Sequence, residues 1–158
     1  MKNLSKTLVL MISILVLSIN TGKSQSTSFA GRYRITSLST SLSLDGNAEK
    51  VYPLGANGGK FQSWQFEGTN IVIENNKAYT LTSYGTGKCL DGNDTSIYPS
   101  NRNGGNYQKW LVIPTDMKDY YFLKSVSTGK VLDGNSDSVY PSDFNGGSYQ
   151  KWKIEKVN

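Results

Sequence analysis

The chain has 158 residues, 17 of them basic and 12 acidic, with no histidine and one cysteine. The absent histidine excludes Ser-His-Asp and Cys-His nucleophilic centres and His-containing zinc sites, and the lone Cys89 excludes an internal disulfide. The formal charge of +5 is scattered among acids and forms no basic stripe of the kind that nucleic-acid binding requires.

Lys2 and Lys6 come first, then an apolar run from Leu8 to Ile19 broken only by Ser13 and Ser18, then small and polar residues from Asn20 to Ser28. A basic flank, about a dozen apolar residues and a small-residue exit describe a secretory signal peptide, placed at residues 1–24. The alternative is a membrane anchor, but a comfortable span needs about 20 apolar residues. The expectation is a secreted protein, extracellular or periplasmic, without membrane insertion. Loss of Lys2, Lys6 and Lys23 leaves 14 basic residues against 12 acidic ones, so the surplus of positive charge belongs partly to the leader.

The remainder, 29–158, reads as one domain of three repeats at 31–67, 77–113 and 119–156. In the first, Tyr33, Ile35 and Ser37 alternate with period two, as a half-buried strand does. Leu44-Asp45-Gly46-Asn47 and Asn57-Gly58-Gly59 supply turn residues around Val51-Tyr52-Pro53, and Phe61-Gln62-Ser63-Trp64 closes the unit. The second repeat matches it with Tyr79, Leu81, Ser83, Leu90-Asp91, Ile97-Tyr98-Pro99, Asn103-Gly104-Gly105 and Tyr107-Gln108-Lys109-Trp110. The third has Tyr121, Leu123, Ser125, Leu132-Asp133, Val139-Tyr140-Pro141, Asn145-Gly146-Gly147 and Tyr149-Gln150-Lys151-Trp152. From Asp to Trp is 19 residues in every unit, and the units are offset by 46 and then 42. The four extra residues fall between Trp64 and Tyr79, where Ile71-Val72-Ile73 predicts a longer connection with a strand of its own.

Each repeat predicts about four short strands between turns, and no stretch has a helical period. A propeller usually needs at least four blades, and a solenoid needs distinct caps that these repeats lack. Closure of three units on a pseudo-threefold axis removes open strand edges. The predicted fold is therefore all-β, a β-trefoil, with Leu44, Leu90, Leu132 and the three Trp inside. The buried Gln of each Gln-x-Trp must find partners, and loop backbone is the candidate.

The triplicate Gln-x-Trp with Leu-Asp near each repeat start resembles the ricin-B-type lectins, family 13 of the carbohydrate-binding modules. The units are most similar to the actinohivin subgroup, with its Leu-Asp, Val-Tyr, Asn-Gly-Gly and Tyr-Gln-x-Trp. The resemblance covers residues 31 to 158. It implies a non-catalytic lectin with glycans or polysaccharide as partner, high-mannose glycans for that subgroup, and no cofactor. It also implies one sugar site per repeat: Asp45, Tyr52, Asn57 and Phe61; Asp91, Tyr98, Asn103 and Tyr107; Asp133, Tyr140, Asn145 and Tyr149. Three departures stand out. Phe61 replaces Tyr, the Asp-to-Val-Tyr segment is one residue shorter, and Arg102 stands where the family often pairs a cysteine with the Cys89 position.

These residue types suit a pyranose. A carboxylate accepts hydroxyl protons in bonds of about 1.5–3 kcal/mol each, an Asn amide donates and accepts, and an aromatic ring packs on the C–H face. Taken singly, Asp-Gly-Asn and Asn-Gly-Gly are also ordinary turns; it is the joint recurrence of Asp, Tyr, Asn and aromatic that folding does not demand. Asp133, Asn135 and Asp137 begin like a calcium loop, but the later Gly and bidentate Glu are missing, so they too read as a turn. Two rivals remain. A glycosidase needs carboxylates about 5–10 Å apart, whereas threefold-related acids in a domain this size lie roughly 20–30 Å apart. A protein-binding trefoil, inhibitor-like or cytokine-like, usually works through one divergent loop rather than three matching ones.

Overall fold

The computed structural model describes residues 28–157; the predicted leader at 1–24 lies outside the described residues. Twelve strands follow in chain order. The first repeat supplies β1 (Gly31–Ser37), β2 (Ser43–Gly46), β3 (Val51–Leu54) and β4 (Trp64–Ile73). The second supplies β5 (Asn76–Ser83), β6 (Cys89–Gly92), β7 (Ile97–Ser100) and β8 (Trp110–Pro114). The third supplies β9 (Tyr120–Ser125), β10 (Val131–Gly134), β11 (Val139–Ser142) and β12 (Trp152–Lys156).

Strand pairing closes a ring. β1 pairs with β4, β4 with β5, β5 with β8, β8 with β9, β9 with β12, and β12 returns to β1, all antiparallel. The six strands form a barrel, and the hairpins β2–β3, β6–β7 and β10–β11 stand off it, one per repeat. β3, β7 and β11 touch one another, so the hairpins meet as a triangular cap. This is the pseudo-threefold β-trefoil that the repeats predict, and closure leaves the six barrel strands without an unpaired side.

The period-two strands put their apolar residues into this shared interior. Leu44, Leu90 and Leu132 are fully buried, and so are Trp64, Trp110 and Trp152. Each indole Nε1 donates to the carbonyl of the Leu 20 residues earlier, at 2.9, 3.0 and 3.0 Å, so none of the three buried indole donors is left unpaired. Phe29 has no counterpart in the repeats and seals the other end of the barrel. Its ring centroid lies 5.3, 5.6 and 5.1 Å from Tyr33, Tyr79 and Tyr121, edge-on to all three.

One predicted element is corrected. Ile71-Val72-Ile73 is not a separate strand but the end of β4, paired Val72 to Lys77 and Ile73 to Asn76 on β5 after a register shift beyond Gly68. Glu74 and Asn75 turn the chain with φ of 50° and 63°, the pair of positive angles that a tight hairpin matched to strand twist requires. Among the described strands the extension pairs with β5 alone, and the two apolar side chains Val72 and Ile73 stay exposed. Cys89 is buried and free, as its apolar reading predicts. Arg102, at the position where the family resemblance places a second cysteine, instead forms an exposed ion pair with Glu67.

Candidate functional site

In every lobe the cap hairpin holds Asp and Tyr directly opposite each other: Asp45 with Tyr52, Asp91 with Tyr98, Asp133 with Tyr140. The turn between them is made by the Asn two residues after Asp. Asn47 Oδ1 accepts from the backbone N–H groups of Glu49 and Lys50 at 2.8 and 2.9 Å, and Asn93 and Asn135 repeat the pattern. The Asp side chain is therefore not consumed by its own turn. The same bonds place Asn135 in a turn rather than a calcium loop, and no cluster of metal-ligating side chains occurs among the described residues.

After the hairpin, Asn57, Asn103 and Asn145 each accept from the Gly two residues on, at 2.7, 2.8 and 2.7 Å. The intervening Gly58, Gly104 and Gly146 have φ of 70°, 74° and 71°, a region that glycine enters at little cost. The loop reading of Asn-Gly-Gly is thus correct for the amide oxygen. The amide nitrogen makes no hydrogen bond among the described residues and stays available to donate. A 3₁₀ turn then presents the aromatic residue to solvent, with Phe61, Tyr107 and Tyr149 45, 46 and 48% exposed.

The Gln inside that turn holds the lobe together. Gln108 Nε2 donates to Asp91 Oδ2 at 3.0 Å and to the Asn101 carbonyl at 2.8 Å, while its Oε1 accepts from Asn103 N–H at 3.0 Å. Gln150 does the same with Asp133, Asp143 and Asn145. Gln62 bonds the Gly55 carbonyl and Asn57 N–H. This is the loop-bracing role predicted for the Gln, extended by a bond to the site carboxylate that the sequence does not signal.

The carboxylates themselves are less open than the sequence leads one to expect. Asp45, Asp91 and Asp133 are only 2, 2 and 5% exposed, and all three Oδ1 atoms are enclosed without a hydrogen-bond partner. Gln108 and Gln150 donate to the carboxylates beside them, and Tyr52, Tyr98 and Tyr140 lie directly opposite on the hairpin strands, so each Asp is closed off from solvent rather than facing an open pocket. Burial raises the Asp45 pKa above the ordinary carboxylate value, while hydrogen bonding to Tyr52 and Gln62 pulls it partly back. The partner hydroxyls respond in kind. Burial first, and then the neighbouring Asp charge and hydrogen bond, push Tyr52, Tyr98 and Tyr140 above 10.0. Tyr107 and Tyr149 also bear electrostatically on Tyr98 and Tyr140, so the two aromatic residues of each of those lobes are neighbours.

The first lobe differs from the other two. Phe61 brings no hydroxyl and its ring lies against Gly85, where an added Cβ would come within 2.4 Å of it. Lys50 Nζ sits 4.8 Å from the centre of the Tyr52 ring, covering a face that the other lobes leave uncovered by a cation.

A family described as ricin-type β-trefoil lectin domain-like matches residues 60–138 and 106–158, together more than half of the chain. No curated protein matches it. Among solved structures, the chain is similar to the designed threefold-symmetric protein ThreeFoil, with a TM-score of 0.69, 22% identity, and coverage of 80% of this chain and 99% of that one. It is similar to the Macrolepiota procera ricin B-like lectin in complex with lactose (TM-score 0.69, 20% identity, 83% and 100% coverage). It is also similar to SeviL bound to asialo-GM1 saccharide (TM-score 0.71, 16% identity, 82% and 100% coverage). Other matched chains are larger, and this one spans 18%, 31% and 51% of three of them. At these identities the structural likenesses establish the trefoil fold.

Proposed function

Because the chain belongs to the ricin-type β-trefoil lectin domain-like family, we propose that it is a carbohydrate-binding lectin with one sugar site per lobe and no catalysis of its own. One observation carries the reading. In each of three lobes, a buried carboxylate keeps one oxygen without a partner and faces a Tyr across its hairpin, and the same lobe carries an Asn amide nitrogen free to donate and an exposed aromatic ring. A buried acceptor left unpaired costs about 1–3 kcal/mol, and folding alone gives no reason to repeat that cost three times. A ligand hydroxyl donated to Oδ1 supplies the missing partner, once the adjoining Tyr side chain rotates aside. The Asn nitrogen donates to a neighbouring sugar oxygen, and the sugar's C–H face rests on Tyr107 or Tyr149. The Asp also orients the Tyr hydroxyl, so its role is partly that of a positioning residue.

The finer readings belong to the same proposal. The actinohivin-like motifs favour high-mannose glycans, whereas the shortened Asp-to-Val-Tyr segment allows a different sugar. The basic-apolar leader favours secretion. The second and third lobes bind more strongly than the first, where Phe61 and Lys50 alter the site.

The test is a glycan array followed by calorimetry on the best ligand. Asp45→Asn, Asp91→Asn and Asp133→Asn combined preserve shape while removing the charge. Binding should fall at least tenfold while thermal unfolding stays cooperative. Undiminished sugar binding by the folded triple variant would sink the site assignment.

A further inference from the structure

One concavity of the molecule is lined by none of the predicted lobe residues. It is a cleft of about 660 Å³ walled by β1, the end of β12, the Gly58–Ser63 segment and Tyr84, and its size suits a ligand of one or two sugar rings. Four cations line it: Arg32 and Arg34, two residues apart on β1, with Lys60 and Lys156. None of the four has an ion-pair partner among the described residues. The one acid in the wall, Glu155, stands opposite Arg34 in the strand register, yet its carboxylate pairs with Lys153 at 2.7 Å. Arg32 is held in place by the Tyr84 ring, with its guanidinium carbon 4.4 Å from the ring centre, so little of its freedom remains to be lost on binding.

This cleft is not a product of the repeats. Where the first repeat has Arg32, Arg34 and Lys60, the second has Ala78, Thr80 and Asn106, and the third has Tyr120, Phe122 and Ser148. Positions that a trefoil fills with unrelated residues elsewhere here converge on a single sign of charge. Ser63, whose Oγ is enclosed without a partner, lines the same wall.

We propose that this cleft is a fourth binding site, for an acidic sugar residue whose carboxylate or sulfate is clamped by Arg32 and Arg34 and flanked by Lys60 and Lys156. Guanidinium groups suit both anions because they offer paired donors in a fixed plane. A saccharide is favoured because Gly58, Gly59 and Gln62 of the wall are chain neighbours of Asn57 and Phe61, so an oligosaccharide seated on the first lobe continues directly into the cleft. That choice of ligand rests on the carbohydrate reading; the anion preference does not.

The experiment is calorimetric titration with three probes: an oligogalacturonate, a sulfated galactose disaccharide and a neutral galactose disaccharide, each at low and at raised salt. At least one acidic probe should bind tenfold or more tighter than the neutral one at low salt, and salt should erode that margin. Whichever acidic probe wins identifies the anion as carboxylate or sulfate. Arg32→Gln with Arg34→Gln should cost that probe tenfold or more and leave the neutral probe unchanged. Lys60→Gln with Lys156→Gln alters only exposed side chains, so its expected loss of severalfold is independent of any folding defect. Equal affinity for all probes, or unchanged acidic binding in both double variants, would overturn the site. Inorganic sulfate competing as well as the sulfated sugar would reduce it to a simple anion site and overturn the saccharide assignment. The Asp45→Asn, Asp91→Asn, Asp133→Asn variant separates the two readings: acidic binding surviving there while neutral binding is lost supports both, and neutral binding surviving condemns the lobe sites alone.

Discussion

A methyl group placed on Gly46 would lie 2.5 Å from the Trp64 ring. The indole is fully buried and anchored by its bond to Leu44, so it cannot step back. Gly46→Ala should therefore cost about 1–3 kcal/mol, as overpacking does, measured by urea unfolding; a loss under half a kcal/mol would mean that the ring relocates freely. Asp45 makes a prediction of a different kind. Its pKa is raised chiefly by burial, so the ionised form is the one that native packing disfavours. That penalty is present at neutral pH and fades as pH falls through the raised value towards the unfolded value of 3.8. Asp45→Asn should thus gain more in Tm over the wild type near pH 7 than near pH 3.5, by calorimetry; a pH-independent difference would contradict it. At this scale the sequence is a partial guide. It places Asp and Tyr together by spacing, but the division of labour between Asp45 and Asn47 depends on which oxygen meets the turn N–H groups, and two adjacent turn formers do not reveal that.

The hairpin of β4 and β5 is the longest local element and departs most from the threefold pattern. Its turn residues Glu74 and Asn75 both occupy the left-handed region, which suits Asn followed by Gly far better than Glu followed by Asn. Replacing the pair by Asn-Gly should raise stability by about 0.5–1 kcal/mol, because relief of the left-handed strain outweighs the extra freedom of glycine in the unfolded chain, read as an upward shift in Tm; a fall would show that Glu74 has an unrecognised partner. The four-residue insertion is legible in the sequence as a longer connection. That it prolongs β4 rather than founding a new strand depends on the register shift past Gly68, which no composition rule anticipates. The same holds for Phe29. It lies outside every repeat, so a method that aligns repeats cannot see it, yet three tyrosines from three repeats converge on it.

For the molecule as a whole, the proposed site in each of three lobes would make binding linked, since all three lobes share one closed ring of strands. Linkage can raise avidity by roughly 10²–10⁴ where geometry permits. A single-lobe change, Asp133→Asn, should then weaken attachment to a densely glycosylated surface by more than tenfold while barely altering the affinity of the remaining lobes for free sugar. Surface plasmon resonance at high and low glycan density checks this, and equal losses at both densities would refute linked binding. The trefoil was readable because identical spacing recurs three times and only a closed ring buries all three copies of Leu and Trp. The cationic cleft was not readable, because it is assembled from positions that the repeats do not share. The ring is joined by a single seam between its earliest and latest segments, where Tyr33 lies beside Lys156 and Ser37 beside Trp152. A nascent chain pairs its opening strand early with β4 but must leave the other side of that strand open until nearly the whole domain has been synthesised, a long-range contact that slows folding. Damage confined to the last few residues would unzip both neighbours of the final strand at once and offer two sticky margins to other copies.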